Sequence, residues 1–279
     1  MIRVKIGPAL AVLTDVGSAG ALERAAAIEF FQDPANREKA FTFRVYKNKE
    51  VVEELSSRFR GKCAYCESPW RSTAPPDIEH YRPKGAVVIS GKLTKPGYYW
   101  LAGDRRNLLP SCIDCNRVRT QQFRDMEPHL SGKANKFPIA KEGQRAQKPG
   151  DERFEQRLLL HPSLDQPDKH LEFIDEGLVR PALNPSGKPS PKGKASIEVY
   201  GLNRKGLVEE RKNYLIRVRG LMRLIEQQTL VIQNSPGNLQ AREVLTGLIA
   251  ELEHYSKDDQ PYAGMVRQFI ERFKKTVTS

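Results

Sequence analysis

The C-terminal third of the chain carries the most regular hydrophobic pattern. Apolar residues recur there three or four positions apart with charged residues between them, which is the spacing of an amphipathic helix. The three stripes are Leu207, Tyr214, Leu215, Val218, Leu221, Met222 and Ile225; then Val244, Leu245, Leu248, Ile249 and Leu252; then Met265, Phe269 and Phe273. The pattern predicts a helical region over residues 191–279 whose stripes pack as the core of a bundle.

A second helical pattern covers residues 20–60. The stretch "ALERAAAIEFF" has apolar residues at helical spacing. The stretch "NKEVVEELSSRFRG" opens with an asparagine of the kind that caps a helix and closes at Gly61, which can end one. We therefore predict a helical N-terminal segment over residues 1–60.

The middle of the chain combines short strand patterns with loops. "IEHYRP", "VVIS", "RLLLHPSLD" and "KHLEFIDEGLVRPAL" contain strand-like apolar runs, whereas "NRVRTQQF" after the last cysteine suits a helix. Residues 131–155 and "NPSGKPSPKGK" are rich in Lys, Gly and Pro, as loops are. We predict an α+β protein, mainly α-helical, with a central core at 61–130 and a loop-rich insertion with short strands at 131–190.

The charge of the chain is unevenly distributed. Its formal net charge is +12, and 13 Lys and Arg face 5 Asp and Glu between Arg58 and Arg124, a net of +8. A concentrated positive field favours phosphate backbones, although a solvated basic surface gives the same count. No apolar run approaches the roughly 18 residues of a membrane span, and Pro8 and Asp15 interrupt the apolar N-terminal stretch. We expect a cytoplasmic protein without membrane association.

All four cysteines lie in two C-x-x-C pairs, Cys63 with Cys66 and Cys112 with Cys115. Two intervening residues make a tight turn with convergent thiolates, so two pairs can complete one tetrahedral site. Without secretory features, metal thiolates are favoured over disulfides; redox thiols and unrelated buried cysteines are the alternatives. We predict a closed structural zinc site without catalytic capacity, because a four-cysteine site leaves no open coordination position.

Three further residues suit proton transfer and the binding of a divalent metal ion. His80 follows Glu79 in "DIEHYRPK", and Asn116 directly follows the last cysteine, where we expect a helix to begin. A histidine accepts protons near neutral pH, and carboxylate and amide oxygens are ligands for Mg²⁺ or Mn²⁺. Taken singly, each has an ordinary structural interpretation, since such a histidine is commonly a satisfied structural residue and such an asparagine a helix cap.

Together these motifs resemble an HNH endonuclease with a zinc-stapled ββα-metal core. The match consists of a C-x-x-C pair, an acid–His pair followed by a proline, and Asn-Leu-Leu-x-x-Cys-x-x-Cys-Asn, in that order over about residues 61–124. The spacing of nine from Asn107 to Asn116 is similar to that between the family's middle and final signature residues. The resemblance implies a metal-dependent enzyme that hydrolyses the phosphodiester bonds of DNA or RNA.

The resemblance also implies a role for each residue. His80 would be the general base, Glu79 and Asn116 would hold one Mg²⁺ or Mn²⁺ ion, and Asn107 would brace the loop that carries His80. Candidate phosphate contacts are Arg82, Lys84, Arg117 and Arg119. The family frequently has Asp where this chain has Glu79, and His where it has Asn116. Because adjacent strand residues face opposite sides, Glu79 and His80 converge only if the strand ends or distorts there.

Further stretches resemble a narrower family. "GYYWLAGDRRNLLPSC", "KFPIA", "LLLHPSLDQPDKHLEF" and "SIEVYGLNRKGLVEER" are similar to the HNH subunit of Septu-type anti-phage systems and to the HNH effectors of some retron systems. The similarity spans most of residues 40–215. It implies an ABC/SMC-like ATPase partner and, in the retron case, a reverse transcriptase with its nucleic acid.

Other histidines and aromatic residues have alternative interpretations. His161 and His170 lie near Asp165 and Asp168 and suggest a second metal site, although turns rich in Asp and Pro are ordinary loop chemistry. His129 and His254 are assigned to structure or surface. Tyr98-Tyr99-Trp100 suits stacking on unpaired bases, although burial is the commoner fate of such residues. The alternatives to a nuclease are a zinc-stapled nucleic-acid-binding module and an adaptor subunit.

Overall fold

Helices make up most of the regular structure in a computed structural model that describes residues 1–70, 75–124 and 126–278. Within these ranges the α-helices are α1 (Ala11–Thr14), α2 (Ala19–Gln32), α3 (Lys49–Arg58), α4 (Ile113–Asn116), α5 (Pro191–Val199), α6 (Lys205–Asn234), α7 (Leu239–His254) and α8 (Ala263–Thr278). The strands are β1 (Asp77–His80), β2 (Val87–Ile89), β3 (Lys92–Thr94), β4 (Leu108–Ser111), β5 (Arg119–Phe123), β6 (Met126–Ser131), β7 (Leu171–Phe173) and β8 (Val179–Pro181). The predicted α+β class is confirmed.

The N-terminal helices start and stop where local chemistry requires. The Ser18 hydroxyl accepts from the Ala21 amide at 3.2 Å and caps α2, while the Asn48 side chain accepts from the Glu50 amide at 2.9 Å and caps α3. The chain turns after α3 through Gly61, whose φ of 68° suits glycine. Helix is thus confirmed at both ends of the 20–60 range. Between them, residues 33–48 contain only short 3₁₀ turns.

The strands pair two by two, all antiparallel: β1 with β4, β2 with β3, β5 with β6 and β7 with β8. The pair that organises the centre is β1–β4, in which Asp77 lies opposite Ser111 and His80 opposite Leu108. Its two strands are 28 or more residues apart along the chain. The acid–His pair therefore lies beside the stretch between the two signature asparagines.

The helix predicted after the last cysteine is wrong. Helix α4 ends at Asn116, so this residue closes a short helix instead of beginning one, and β5 follows. Pairing with β6 satisfies the backbone of β5, with a bulge between Gln121 and Phe123. Directly after β6 the chain passes close to the start of β5 at Gly132, whose φ is 130° and whose added Cβ would lie 2.0 Å from the Arg117 carbonyl oxygen. The strand pairing and the close approach of Gly132 to Arg117 override the local helical pattern.

The C-terminal helical prediction is confirmed. In α6 the side chains of Leu207, Leu215, Val218, Met222 and Ile225 are buried, as the first stripe requires. The stripe on α7 is only partly in the core, since Leu252 is buried and Val244 and Ile249 are exposed. Met265 and Phe269 of α8 are buried.

One main hydrophobic cluster runs through the described parts of the chain. It contains Leu55, Leu109, Leu159 and Val218, one from each of the four predicted segments. The division into segments at 60, 130 and 190 stays a prediction, because the segments share this core. None of the helices in the described ranges combines the length and apolar character that crossing a membrane requires.

Candidate active site

The two C-x-x-C pairs form one four-sulfur cluster. The Sγ atoms of Cys63, Cys66, Cys112 and Cys115 all lie within 4.8 Å of one another, and those of Cys66 and Cys112 are 3.7 Å apart. Zinc–sulfur bonds of about 2.3 Å in a tetrahedron put sulfurs about 3.8 Å apart. The cluster therefore fits a structural zinc ion, as predicted.

A buried arginine that the sequence did not single out offsets part of the charge of this cluster. Arg204, at the start of α6, donates from its guanidinium to the sulfurs of Cys115, Cys66 and Cys112 at 3.5, 3.6 and 3.7 Å. Four thiolates around one Zn²⁺ would leave a charge of about −2, which a buried cation offsets. Burial opposes this charge, but the cysteine sulfurs outweigh burial and raise the pKa of Arg204. The C-terminal region thus contacts the metal centre directly.

His80 ends β1 and is held by its ring nitrogens. Its Nε2 lies 3.0 Å from the Ala102 carbonyl oxygen, and its Nδ1 lies 3.3 Å from the Lys84 ammonium. A carbonyl oxygen only accepts hydrogen bonds, so Nε2 carries the proton and Nδ1 presents its lone pair. The rings of Tyr46 and His80 pack in a T-shaped arrangement with centroids 4.6 Å apart. The neutral tautomer and its orientation are therefore both fixed.

The electrostatics of this corner keep the imidazole uncharged. Burial, followed by the nearby Lys84 charge, lowers the pKa of His80 well below its ordinary value. Burial also lowers the pKa of Lys84 to about 8. At neutral pH, His80 is a proton acceptor next to a cation.

His80 and Lys84 line a cleft of about 390 Å³. Lys39 and Lys95 line the same cleft, as do Phe41 and Phe43 from the segment between α2 and α3. The combination of lysines and aromatic rings suits a phosphate with an adjoining base. The N-terminal segment thus supplies part of the wall around the histidine.

Asn107 bonds to the backbone next to the histidine. Its Oδ1 accepts from the Arg82 amide at 2.7 Å, and its Nδ2 donates to the carbonyl oxygens of Arg82 and Leu101 at 3.0 and 3.1 Å. These bonds join the chain just after His80 to the turn that precedes Ala102, whose carbonyl orients His80. The buried Asn107 side chain therefore braces both the chain that carries His80 and the turn that positions the Ala102 carbonyl.

Within the described ranges, the Asn116 side chain bonds to Asp77 and not to His80 or Glu79. Its Nδ2 donates to Asp77 at 3.0 Å, and Arg117 makes a two-point ion pair with the same carboxylate. Partial burial acts to raise the pKa of Asp77, but the hydrogen bonds from Arg117 and Asn116 outweigh it and leave this pKa lowered. In the described residues, no hydrogen bond joins the side chains of His80 and Asn116.

Glu79 is held by a residue that the sequence analysis missed. The Lys133 ammonium donates to the Glu79 carboxylate and to the His80 carbonyl oxygen, the latter at 2.8 Å, and Lys133 is fully buried. Burial raises the pKa of Glu79, and the Lys133 charge opposes that shift. Glu79 is thus paired with Lys133 and Asn116 with Asp77, and a divalent ion shared by Glu79 and Asn116 stays a prediction. The only hint in the sequence is a lysine directly after Gly132.

The four candidate phosphate contacts differ in availability. Arg82 pairs with the buried Glu155 at 2.8 Å and its guanidinium packs near the Phe137 ring, so its charge is already compensated within the protein. Arg117 and Arg119 are exposed, and each pairs with an aspartate. Lys84, half-buried in the cleft wall next to His80, is the best placed of the four.

The suggested second metal site does not form. His161 bonds to the Arg106 carbonyl oxygen and His170 to the Ser190 hydroxyl, while Asp165 pairs with Arg157 and Lys192. Across the described ranges, the four cysteines are the only cluster of metal-ligating side chains. Trp100 is buried, which favours the structural interpretation of the aromatic stretch.

Comparisons with known proteins agree with the narrower resemblance. No protein-family model matches the chain. The Septu protein PtuB of Bacillus mycoides (strain KBAB4) is 38% identical over 290 aligned positions, which cover 98% of this chain and 90% of that protein. The Septu protein PtuA of the same strain is 28% identical over 208 positions, 73% of this chain and 26% of that protein. The retron association stays a prediction. The length and identity of the PtuB match show that the chain belongs to the Septu PtuB family.

Proposed function

We propose that the chain is an HNH-type endonuclease that hydrolyses phosphodiester bonds as the effector of a bacterial anti-phage system. The observation that carries this proposal is the environment of His80. Its imidazole is neutral, oriented by the Ala102 carbonyl, and presents Nδ1 in a lysine-lined cleft. A general base needs that protonation state and access to a proton on water.

The reaction follows from the residues around the cleft. A water oxygen attacks phosphorus in line with the scissile P–O bond while its proton passes to His80 Nδ1. The P–O bond breaks, and the leaving oxygen takes a proton from solvent. The Lys84 ammonium, now 3.3 Å from Nδ1, would turn to the substrate phosphate, stabilise its growing charge and vacate the position for the water.

A partner and a location are part of the proposal. The Septu resemblance implies an ABC/SMC-like ATPase partner, and family membership supports a PtuA protein in that role. We propose that the two act in the cytoplasm, where phage nucleic acid is accessible. A divalent ion at Glu79 would first require that its carboxylate be released from Lys133.

The test is cleavage of plasmid DNA and of RNA by the purified chain, alone and with its ATPase partner, in Mg²⁺, Mn²⁺ or EDTA. We expect cleavage by the wild type in at least one condition and a rate lower by about 100-fold or more in His80→Ala. His254→Ala, at an exposed histidine of α7, is the matched control and should cleave normally. Zinc content and nucleic-acid binding should be the same in all three proteins.

The second candidate is a non-catalytic nucleic-acid-binding or adaptor subunit. The observation in its favour is that Lys133 binds Glu79, which leaves the expected metal ligand occupied. On this candidate, His80→Ala and the wild type bind nucleic acid equally and neither cleaves it under any condition.

A further inference from the structure

We propose that Lys133 is an internal cation that excludes divalent metal from Glu79, so that metal binds only when the lysine side chain leaves. The inference rests on the proposed nuclease function only in that the metal ion would serve catalysis. Whether Lys133 excludes the metal ion is a question of binding alone. It assigns Lys133 the part of a positioning and gating residue.

The surroundings of the ammonium are those of a cation site. Lys133 Nζ contacts the Glu79 carboxylate, the His80 carbonyl oxygen at 2.8 Å and the Ala134 carbonyl oxygen at 3.4 Å. Carboxylate and carbonyl oxygens are also what hard divalent ions bind. The lysine therefore occupies an oxygen-lined position directly behind the candidate base.

The segment that carries Lys133 also holds the second predicted ligand. The Lys133 amide donates to the Cys115 carbonyl oxygen at 2.9 Å, and the Ala134 amide donates to that of Asn116 at 2.6 Å. Glu79 is thus bound by the side chain of residue 133, and Asn116 by the backbone next to it. A shift of this one segment would alter both ligands together.

Charge explains why the two cations are alternatives. A divalent ion on the Glu79 carboxylate would lie within a few ångströms of the lysine charge, in a buried place where repulsion is poorly screened. Conversely, loss of the lysine leaves Glu79 buried without a counter-ion, which favours uptake of a cation. Lys133 and a metal ion therefore exclude one another.

The test is a Mn²⁺ titration of the purified, zinc-loaded chain, followed by electron paramagnetic resonance of free Mn²⁺. We expect no Glu79-dependent site in the wild type and one site per chain in Lys133→Met, at least tenfold tighter than any wild-type binding. Glu79→Gln added to Lys133→Met should remove the site. Lys136→Met, at a half-exposed lysine three residues further on, is the matched control and should behave as the wild type.

The proposal is overturned by a tight wild-type site that Glu79→Gln abolishes, or by a folded Lys133→Met chain without a site. If the loss of Lys133 destabilises the fold, Mn²⁺ should restore the thermal transition of Lys133→Met and leave that of Lys136→Met unchanged, and failure to restore it also overturns the proposal. The titration contains no nucleic acid and therefore tests metal exclusion separately from cleavage. If Lys133→Met gains the Mn²⁺ site but the protein cleaves no nucleic acid in the separate assay, the nuclease proposal fails and the metal-exclusion proposal stands.

Discussion

His80 and Lys84 act on each other through one contact, in which the ammonium donates to Nδ1 at 3.3 Å. The lysine helps to keep the imidazole neutral, and the apolar surroundings weaken the lysine's own hold on its proton. Proton acceptor and phosphate-binding cation are therefore available together only over a limited pH range. The upper end of that range is set by Lys84, because His80 remains neutral as the pH rises.

This pairing predicts an alkaline limit to cleavage. Lys84 is charged below its lowered pKa of about 8 and neutral above it, so the single-turnover rate should be level near pH 6, half-maximal near pH 8 and lower still beyond. Lys84→Arg keeps its charge throughout because the arginine pKa exceeds about 12. The measurement is the rate from pH 6 to 9.5 for both proteins. An alkaline fall that is identical in Lys84→Arg would contradict the assignment.

At the scale of elements, the sequence predicted the helices that depend on nearby residues and missed the strand that depends on distant ones. The caps of α3 and the stripe on α6 depend on neighbours along the chain, so the sequence predicted those helices. Strand β5 depends on its pairing with β6 and on the close approach of Gly132 to Arg117, which override the local helical pattern. The role of Lys133 could not be predicted either, because its partner Glu79 lies 54 residues away along the chain.

Gly132 gives this dependence a direct test. Gly132→Ala should destabilise the fold by more than about 2 kcal/mol, because its φ of 130° strains any other residue and its Cβ would meet the Arg117 carbonyl oxygen at 2.0 Å. Gly220→Ala, in an open position on α6, is the control and should be neutral or stabilising by up to about 1 kcal/mol. Equal midpoints of chemical denaturation for the two variants would contradict this account of the hairpin.

At the scale of the whole molecule, the metal centre joins parts of the chain that are far apart in sequence. The two C-x-x-C pairs hold the regions before β1 and after β4, and Arg204 brings the start of α6 onto the sulfurs. The motif spacing predicted the cysteine site. It did not predict the arginine, because nothing in "GLNRKG" distinguishes a buried cation from a surface one. The cysteine cluster therefore contacts the start of α6 as well as the central core.

Removing the arginine should loosen the metal. In Arg204→Met the charge of the cluster is uncompensated, so we expect zinc to be lost to a chelator at least tenfold faster than from the wild type. The release is followed with a zinc-sensitive dye, and Arg242→Met, on the exposed side of α7, is the control. An unchanged release rate would show that Arg204 does not stabilise the site.

The central claim is that His80 accepts the proton of the attacking water, and chemical rescue tests it most directly. The cleavage rate of the complex with its ATPase partner is measured for His80→Ala as imidazole is added. We predict a loss of about 100-fold or more without imidazole, and a rise with imidazole that neither the wild type nor His254→Ala shows. A His80→Ala chain that cleaves at the wild-type rate without imidazole would contradict the account.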